Sequence, residues 1–270
     1  PPSAIGAVLS AAFLPKYGLV FDAADPLPAF ADADTAWPGG IAFLELGPAD
    51  GEPPVVEFNG KRVLVMAEDG QWRAAVGVPL AAETGRASIT FDNGMTMSFD
   101  VVEHAYAEEH LQVAKSYVSL SEEDLARYHR ERKVIDAALN NWRDVPVAGV
   151  ALDSPVDGPR SSSFGKRRFF NNEPRSPHTG MDIAVPEGTP IRAPRAGVVT
   201  ETGDFYFNGN TVFIDHGQGF VTMYCHLSEI GVDKGQEIAA SDVIGLVGKT
   251  GRVTGAHLHF GTYLNGNAVD

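Results

Sequence analysis

Three dipeptides, Asn59-Gly60, Asp69-Gly70 and Asn93-Gly94, constrain the fold of this chain more than any other feature. Two-residue hairpin turns of the type that matches strand twist need positive φ at their central residues. Asn, Asp and Gly tolerate that conformation best. The runs around these pairs (41–46, 55–58, 62–66, 72–78, 87–91 and 95–102) are short and rich in β-branched, aliphatic and aromatic residues. Six short strands at such spacing predict a small β-sandwich over residues 36–105.

Residues 163–270 read the same way. Strands are expected at 181–185, 190–192, 197–201, 211–215, 220–226, 243–247 and 257–264, with glycines between them and no long helical pattern. One helix is expected, over 121–142. Ser121 and Asp124 resemble a capping box, and Leu125, Tyr128, Ile135, Leu139 and Trp142 recur at helical spacing. The expected organisation is an N-terminal arm (1–35), a small β domain (36–105), a helical connector (106–145), a linker (146–162) and a second domain (163–270). The fold class is mainly β.

Composition then narrows the function. The net charge is −14, and residues 1–145 carry 22 Asp and Glu against 11 Lys and Arg. An acidic chain without a basic run argues against nucleic acid and anionic lipid as partners. The single cysteine, Cys225, excludes an intramolecular disulfide and a thiolate metal cluster. The apolar stretch 5–14 is too short to span a bilayer, which takes roughly 20 residues. No integral membrane segment is expected.

The eight histidines are distributed unevenly. His104, His110 and His129 have no suggestive neighbours and read as surface or packing residues. His216, before Gln218-Gly219, reads as a structural residue at a hairpin turn. His257-Leu258-His259 is different: on a strand, alternate residues share a face, so both imidazoles point to one place while Leu258 and Phe260 enter a core. Two adjacent imidazoles are compatible when neutral, the form that binds a metal. His178-Thr-Gly-Met-Asp182 adds a histidine and a carboxylate, with Pro177, Gly180 and Pro186 excluding a helix there. With one histidine of the His-x-His pair this makes a two-His, one-Asp set, which suits catalytic zinc with a fourth position left for water. His226, at the end of a strand, is either a packed histidine or a general base or transition-state stabiliser. Strand alternation is expected to point Cys225 away from His226, which argues against a Cys–His nucleophile and makes Cys225 a small buried hydrophobe.

Taken together these segments resemble the M23 family of zinc metallopeptidases, the LytM and lysostaphin type that cut peptidoglycan. The marks are Ser163-Phe164-Gly165, His178 to Asp182, Pro190 to Pro194, Ala196 to Val199, Asn210 to Gly217, Tyr224-Cys-His226-Leu-Ser228 and Gly255-Ala-His257-Leu-His259-Phe260. The resemblance implies that His178, Asp182 and His259 hold Zn2+ and that His226 and His257 are catalytic. It also implies a small antiparallel β fold with an open groove. Residues 168–175 resemble the Gram-negative branch, which carries an N-terminal β domain and connecting helix. For that branch the implied substrate is the D-alanyl to diaminopimelate crosslink of peptidoglycan. The implied location is the periplasm or cell envelope, with a signal sequence removed ahead of Pro1. A protein regulator is a further implied partner, and restraint of the groove by the N-terminal region is expected. Two rivals remain: a non-catalytic LytM-type module that activates another wall hydrolase, and a metal-free histidine carrier on a related β scaffold.

Overall fold

The computed structural model describes residues 35–112 and 120–270. The expected arm over 1–35 lies outside the described residues, except for Thr35.

The first β unit comprises β1 (Thr35–Ala36), β2 (Ile41–Pro48), β3 (Val56–Phe58), β4 (Lys61–Arg62), β5 (Leu64–Glu68), β6 (Gln71–Gly77), β7 (Gly85–Phe91) and β8 (Thr96–Val101). They form two sheets, ordered β1-β8-β7-β3-β4 and β2-β6-β5. The sheets share one apolar core that includes Leu44, Phe58, Val76, Ile89 and Phe99. The expected strand over 62–66 is divided: Arg62 ends β4 in one sheet, Leu64 begins β5 in the other, and buried Val63 makes the crossing. Asn59-Gly60 (φ 52° and 73°) and Asp69-Gly70 (φ 51° and 76°) are the two-residue turns that join β3 to β4 and β5 to β6. Asn93-Gly94 behaves differently. Only Gly94 is left-handed (φ 82°), in a three-residue loop closed by the Phe91 N–H donating to Met95 O.

The connector holds β9 (Glu108–Leu111), which the sequence reading missed, and α1 (Glu122–Leu139). Ser121 caps the helix, its hydroxyl accepting from the Asp124 N–H at 3.1 Å. The helix buries Ala138 and Leu139, with Ile135 beside them, against Phe205, Phe213, Val221, Met223 and Tyr263.

The remaining strands are β10 (Arg160–Ser162), β11 (Arg167–Phe170), β12 (Glu173–Pro174), β13 (Met181–Ile183), β14 (Pro190–Arg192), β15 (Gly197–Phe205), β16 (Gly209–Gly217), β17 (Phe220–Ile230), β18 (Glu237–Ile238), β19 (Val243–Val247), β20 (Leu258–Leu264) and β21 (Asn267–Val269). A ten-stranded sheet runs β10-β13-β20-β17-β16-β15-β18, with β14 and β19 paired off β17 and β21 off β20. One face covers a core built around Val212, Ile214, Tyr224, Leu227, Ile244 and Leu258. Residues 146–162, expected to be a linker, are part of the packed structure. Val147 and Val156 are buried, and β10 pairs with β13.

The two β units are joined by apolar and polar contacts together. Leu64, Met66 and Ala75 pack with Val147, Phe220, Leu264 and Val269. Buried Asn265 grips Gly77 of β6 on both sides: its Oδ1 accepts from the Gly77 N–H at 2.8 Å, and its Nδ2 donates to Gly77 O at 3.1 Å. Gln218 does the same for Val65 at the free edge of β5, at 3.0 and 3.1 Å. Asn265→Ala leaves the Gly77 N–H without its partner, at about 1–3 kcal/mol, while Gly77 O keeps the Asn267 Nδ2 donor at 3.0 Å. A loss of about 1–3 kcal/mol in urea unfolding is the expected outcome. A variant within 0.5 kcal/mol of wild type, within the scatter of surface substitutions, would show that the amide clamp carries no stability.

Candidate metal centre

β13, β20 and β17 lie side by side, and their register aligns Asp182, His259 and Cys225 in one row across the sheet. Cross-strand partners share a face, so Asp182 and His259 emerge together. His178 enters from the loop before β13. Three donor atoms converge: His178 Nε2 lies 3.0 Å from Asp182 Oδ1 and 3.0 Å from His259 Nδ1, and His259 Nδ1 lies 2.9 Å from Asp182 Oδ1. Among the described residues these are the group of His, Cys, Asp and Glu whose ligand atoms come close enough to share an ion.

The donor chemistry fits zinc, with two imidazoles and one carboxylate. His178 is oriented for the purpose. Its Nδ1 donates to Ser163 O at 2.8 Å, which leaves Nε2 as the lone-pair nitrogen. Its backbone is clasped by the same turn, since the Gly165 N–H donates to His178 O and the His178 N–H to Lys166 O. That turn is in contact with the first β unit. The Tyr106 ring lies against Gly165, where an added Cβ would meet it at 2.1 Å, and Tyr106 OH donates to Pro38 O at 2.7 Å.

His226 and His257 stand next to this row. The His226 ring centroid is 4.8 Å from that of His257 and 6.1 Å from that of His259. A bulge puts it there. Asn210 pairs with Leu227 but Val212 pairs with Tyr224, so β17 carries one extra residue, and His226 takes a left-handed φ of 68°. Both rings are fixed by carbonyls. His226 Nδ1 donates to Thr250 O at 3.1 Å and His257 Nδ1 to Gly255 O at 2.9 Å. Each ring therefore keeps Nε2 as an acceptor. His257 Nε2 lies 3.8 Å from Asp182 Oδ1.

Burial alone would raise the Asp182 carboxyl, but the contacts with His178 and His259 outweigh it and hold the group well below the usual carboxylate range. Burial pushes His259 down, against the pull of the carboxylate. Burial, and then the neighbouring imidazoles of His257 and His259, push His226 down to about 3. The result is a charged carboxylate at Asp182 with the His259 and His226 rings favoured in their neutral form, the state a cation takes up and a proton acceptor needs.

The bulge also corrects the expectation about Cys225. Alternation does not separate it from His226; Cys225 lies opposite His259 in register, buried beside Phe213 and Tyr263. It is inert for another reason: burial pushes its thiol up.

His216 is not at a turn. It lies buried within β16, with Nδ1 donating to Ala196 O at 2.8 Å and Nε2 accepting from the Thr222 hydroxyl at 2.8 Å. Burial lowers it to about 4. The unfolded chain binds that proton below about pH 6.5. Stability from neutral His216 is thus full above about pH 6.5 and falls as pH drops toward 4, by up to about 3 kcal/mol. Urea midpoints at pH 7 and pH 4.5 check this against His216→Asn, whose loss between the two should be smaller. Equal losses would remove His216 from the acid transition. His104 and His110 occupy packing roles: His104 stacks with Trp37 and Tyr106, and His110 with Phe169. The His129 ring lies 5.5 Å from Tyr128 on α1.

Comparison with known proteins agrees with this geometry. Residues 176–270 match the profile of Peptidase family M23, and residues 34–104 that of the Peptidase family M23 N-terminal domain. A crystal structure of an M23-class peptidase from Pseudomonas aeruginosa is 41% identical. It covers 89% of this chain and 94% of its own, with a TM-score of 0.74. The peptidoglycan DD-endopeptidase ShyA of Vibrio cholerae is 45% identical over 41% of this chain and 26% of its own length. The DD-carboxypeptidase/endopeptidase Mpg of Neisseria meningitidis is 44% identical over 41% of this chain and 25% of its own. The matched region thus spans about a quarter of these curated relatives.

Proposed function

Because this chain belongs to peptidase family M23, we propose that it is a zinc-dependent endopeptidase that hydrolyses peptide crosslinks of peptidoglycan in the cell envelope. The observation that carries the reading is the convergence of His178 Nε2, Asp182 Oδ1 and His259 Nδ1 beside two imidazoles that keep Nε2 as an acceptor.

His178, Asp182 and His259 would hold the ion. Zinc bound there supplies Lewis-acid polarisation of the scissile carbonyl and lowers the pKa of a water to about 7. The remaining work belongs to the chain. Neutral His226, or His257, accepts the proton of the attacking water at Nε2, and the imidazolium so formed donates from Nε2 to steady the tetrahedral intermediate. Both rings are held at Nδ1, so neither has to reorient as charge develops. The named activities of ShyA and Mpg support the D-alanyl to diaminopimelate bond as the target. Among the described residues no helix is long and apolar enough to cross a membrane.

Mass spectrometry of muropeptides after digestion of purified sacculi, with Asp182→Ala as control, tests the reading. Loss of crosslinked dimers by the zinc-loaded chain is expected. A zinc-loaded chain that never cuts, even without residues 35–112, would leave the activator module as the better reading. Unchanged metal content in His178→Ala would overturn the ligand set, and a chain that takes up no metal at all would favour the carrier.

The N-terminal region is part of the same proposal. Restraint of the groove predicts that deleting residues 35–112 raises turnover at equal zinc loading. The Tyr106–Gly165 contact, which lies against the turn clasping His178, predicts the reverse, a truncated chain with less zinc.

A further inference from the structure

Neither His226 nor His257 is held by its own strand alone. Their carbonyl partners, Thr250 O and Gly255 O, belong to the single loop 249–256, and the His226 backbone N–H donates to Asn208 O at 2.8 Å. Asn208 lies in the turn between β15 and β16. This turn and the loop touch backbone to backbone. A Cβ added at Gly209 would meet Thr250 C at 2.4 Å, and one at Gly251 would meet Gly209 N at 2.3 Å. The contact is locked by the Thr250 hydroxyl, which accepts from the Asn210 N–H at 2.9 Å. The Arg252 N–H, donating to Phe207 O at 3.0 Å, adds a second lock. Turn and loop therefore move as one body.

That body is tied to α1. Glu131 accepts the Tyr206 N–H at 2.7 Å with Oε2, while its Oε1 accepts from Arg127 Nε at 2.5 Å. Arg127 reaches on to Asp204, its Nη2 donating to the carbonyl and to Oδ2, each at 3.1 Å. The Tyr128 ring meets Phe207 edge to face at 5.5 Å, and the Arg252 guanidinium lies over the other partner of the pair, the Phe207 ring, at 5.6 Å. The Glu131 side chain is 16% exposed, and its partner is a backbone N–H in a turn that no strand pairing satisfies. Three residues of a helix outside the peptidase sheet, Arg127, Tyr128 and Glu131, thus meet the turn on which His226 depends or the strand end leading into it.

We propose that α1 is a positioning element of the active site, with Glu131 as a positioning residue. It fixes the 206–208 turn, and through Asn208 O and the 250–255 loop it sets the directions of the His226 and His257 rings. The metal ligands lie outside this path: His178 is clasped by Ser163 to Lys166, and Asp182 and His259 sit in the β13–β20 pairing. The proposal rests on the catalytic reading of those two rings for its effect on rate, but its geometry is independent of it.

The test uses the full chain. Glu131→Ala is expected to lower kcat for crosslink cleavage about tenfold with KM and zinc content within twofold, because sub-ångström misplacement acts on turnover rather than on ligand number. Glu131→Gln keeps an acceptor and should recover most of the rate. In a His226→Ala background, Glu131→Ala should add less than twofold. In 15N-labelled protein the His226 ring resonances should move in Glu131→Ala and stay in place in Arg132→Ala, a surface control on the same helix. Unmoved resonances would overturn the proposal, as would an equal further loss in the His226→Ala background. If wild type cuts nothing, the peptidase reading fails while the ring resonances still decide this one. If Glu131→Ala does not fold, Phe207→Ala cuts the same path from the turn side, and its ring resonances decide the matter in the same way.

Discussion

Asp182→Ala is expected to abolish crosslink cleavage, with a loss on the order of 10³ or more, and to release most of the bound zinc. Asp182 is the centre of the row: its Oδ1 lies 3.0 Å from His178 Nε2 and 2.9 Å from His259 Nδ1. It is the only negative charge in the donor set. Without it, two imidazoles face each other at 3.0 Å with nothing to offset a cation. Several kcal/mol of transition-state stabilisation then disappear, and about 4 kcal/mol already corresponds to 10³ in rate. Asp182→Asn separates charge from shape, because it keeps the volume and one acceptor while removing the carboxylate. It should retain fold and lose zinc. Elemental analysis beside a muropeptide assay checks both variants. A fully zinc-loaded Asp182→Ala protein would place the ion elsewhere.

The same substitution acts on the metal-free protein. The His178 and His259 contacts keep Asp182 ionised well below the usual carboxylate range, so its contribution to stability is present above about pH 4, the unfolded value, and is lost as pH falls below it. Metal-free Asp182→Ala should therefore unfold with a flatter acid limb than wild type.

The parts of this site that were legible in the sequence are those set by local periodicity. His257 and His259 share a face because strands alternate, and the Asn-Gly and Asp-Gly turns of the first β unit follow from residues that tolerate positive φ. The illegible parts depend on partners distant in sequence. Nothing near His226 announces the bulge, because its cause is a mismatch between β16 and β17 together with an Asn208 carbonyl from another turn. Nothing in Arg62-Val63-Leu64 marks the switch between sheets, since a continuous apolar run reads as one strand. β9 was missed because Glu108-Glu109-His110-Leu111 is polar; it becomes a strand by pairing in parallel with β11, 59 residues away. Nothing local marks Gln218 or Asn265, whose amides are the partners of backbone groups in the first β unit.

His226→Ala and His257→Ala are expected to keep zinc and fold while losing about 10²–10⁴ in kcat, the range for removing a positioned acid or base. The retained zinc is what distinguishes this outcome from that at Asp182, since neither ring lies in the converging triad. The two losses should not add. If one ring takes the proton while the other holds the attacking water through its own Nε2 in the same step, each is nearly useless alone, and the double variant should be little worse than the poorer single one. Additive losses would mean two independent contributions, at odds with a pair whose centroids lie 4.8 Å apart and whose orientations come from one loop. Burial matters to the choice between them. His226 is pushed down to about 3, so it stands neutral across the working range and enters the reaction as an acceptor. Its proton, once gained, is held in a site that disfavours charge, so it passes on quickly to the leaving amine. Single-turnover rates on a purified crosslinked dimer, with each single variant and the double, measure the two contributions directly.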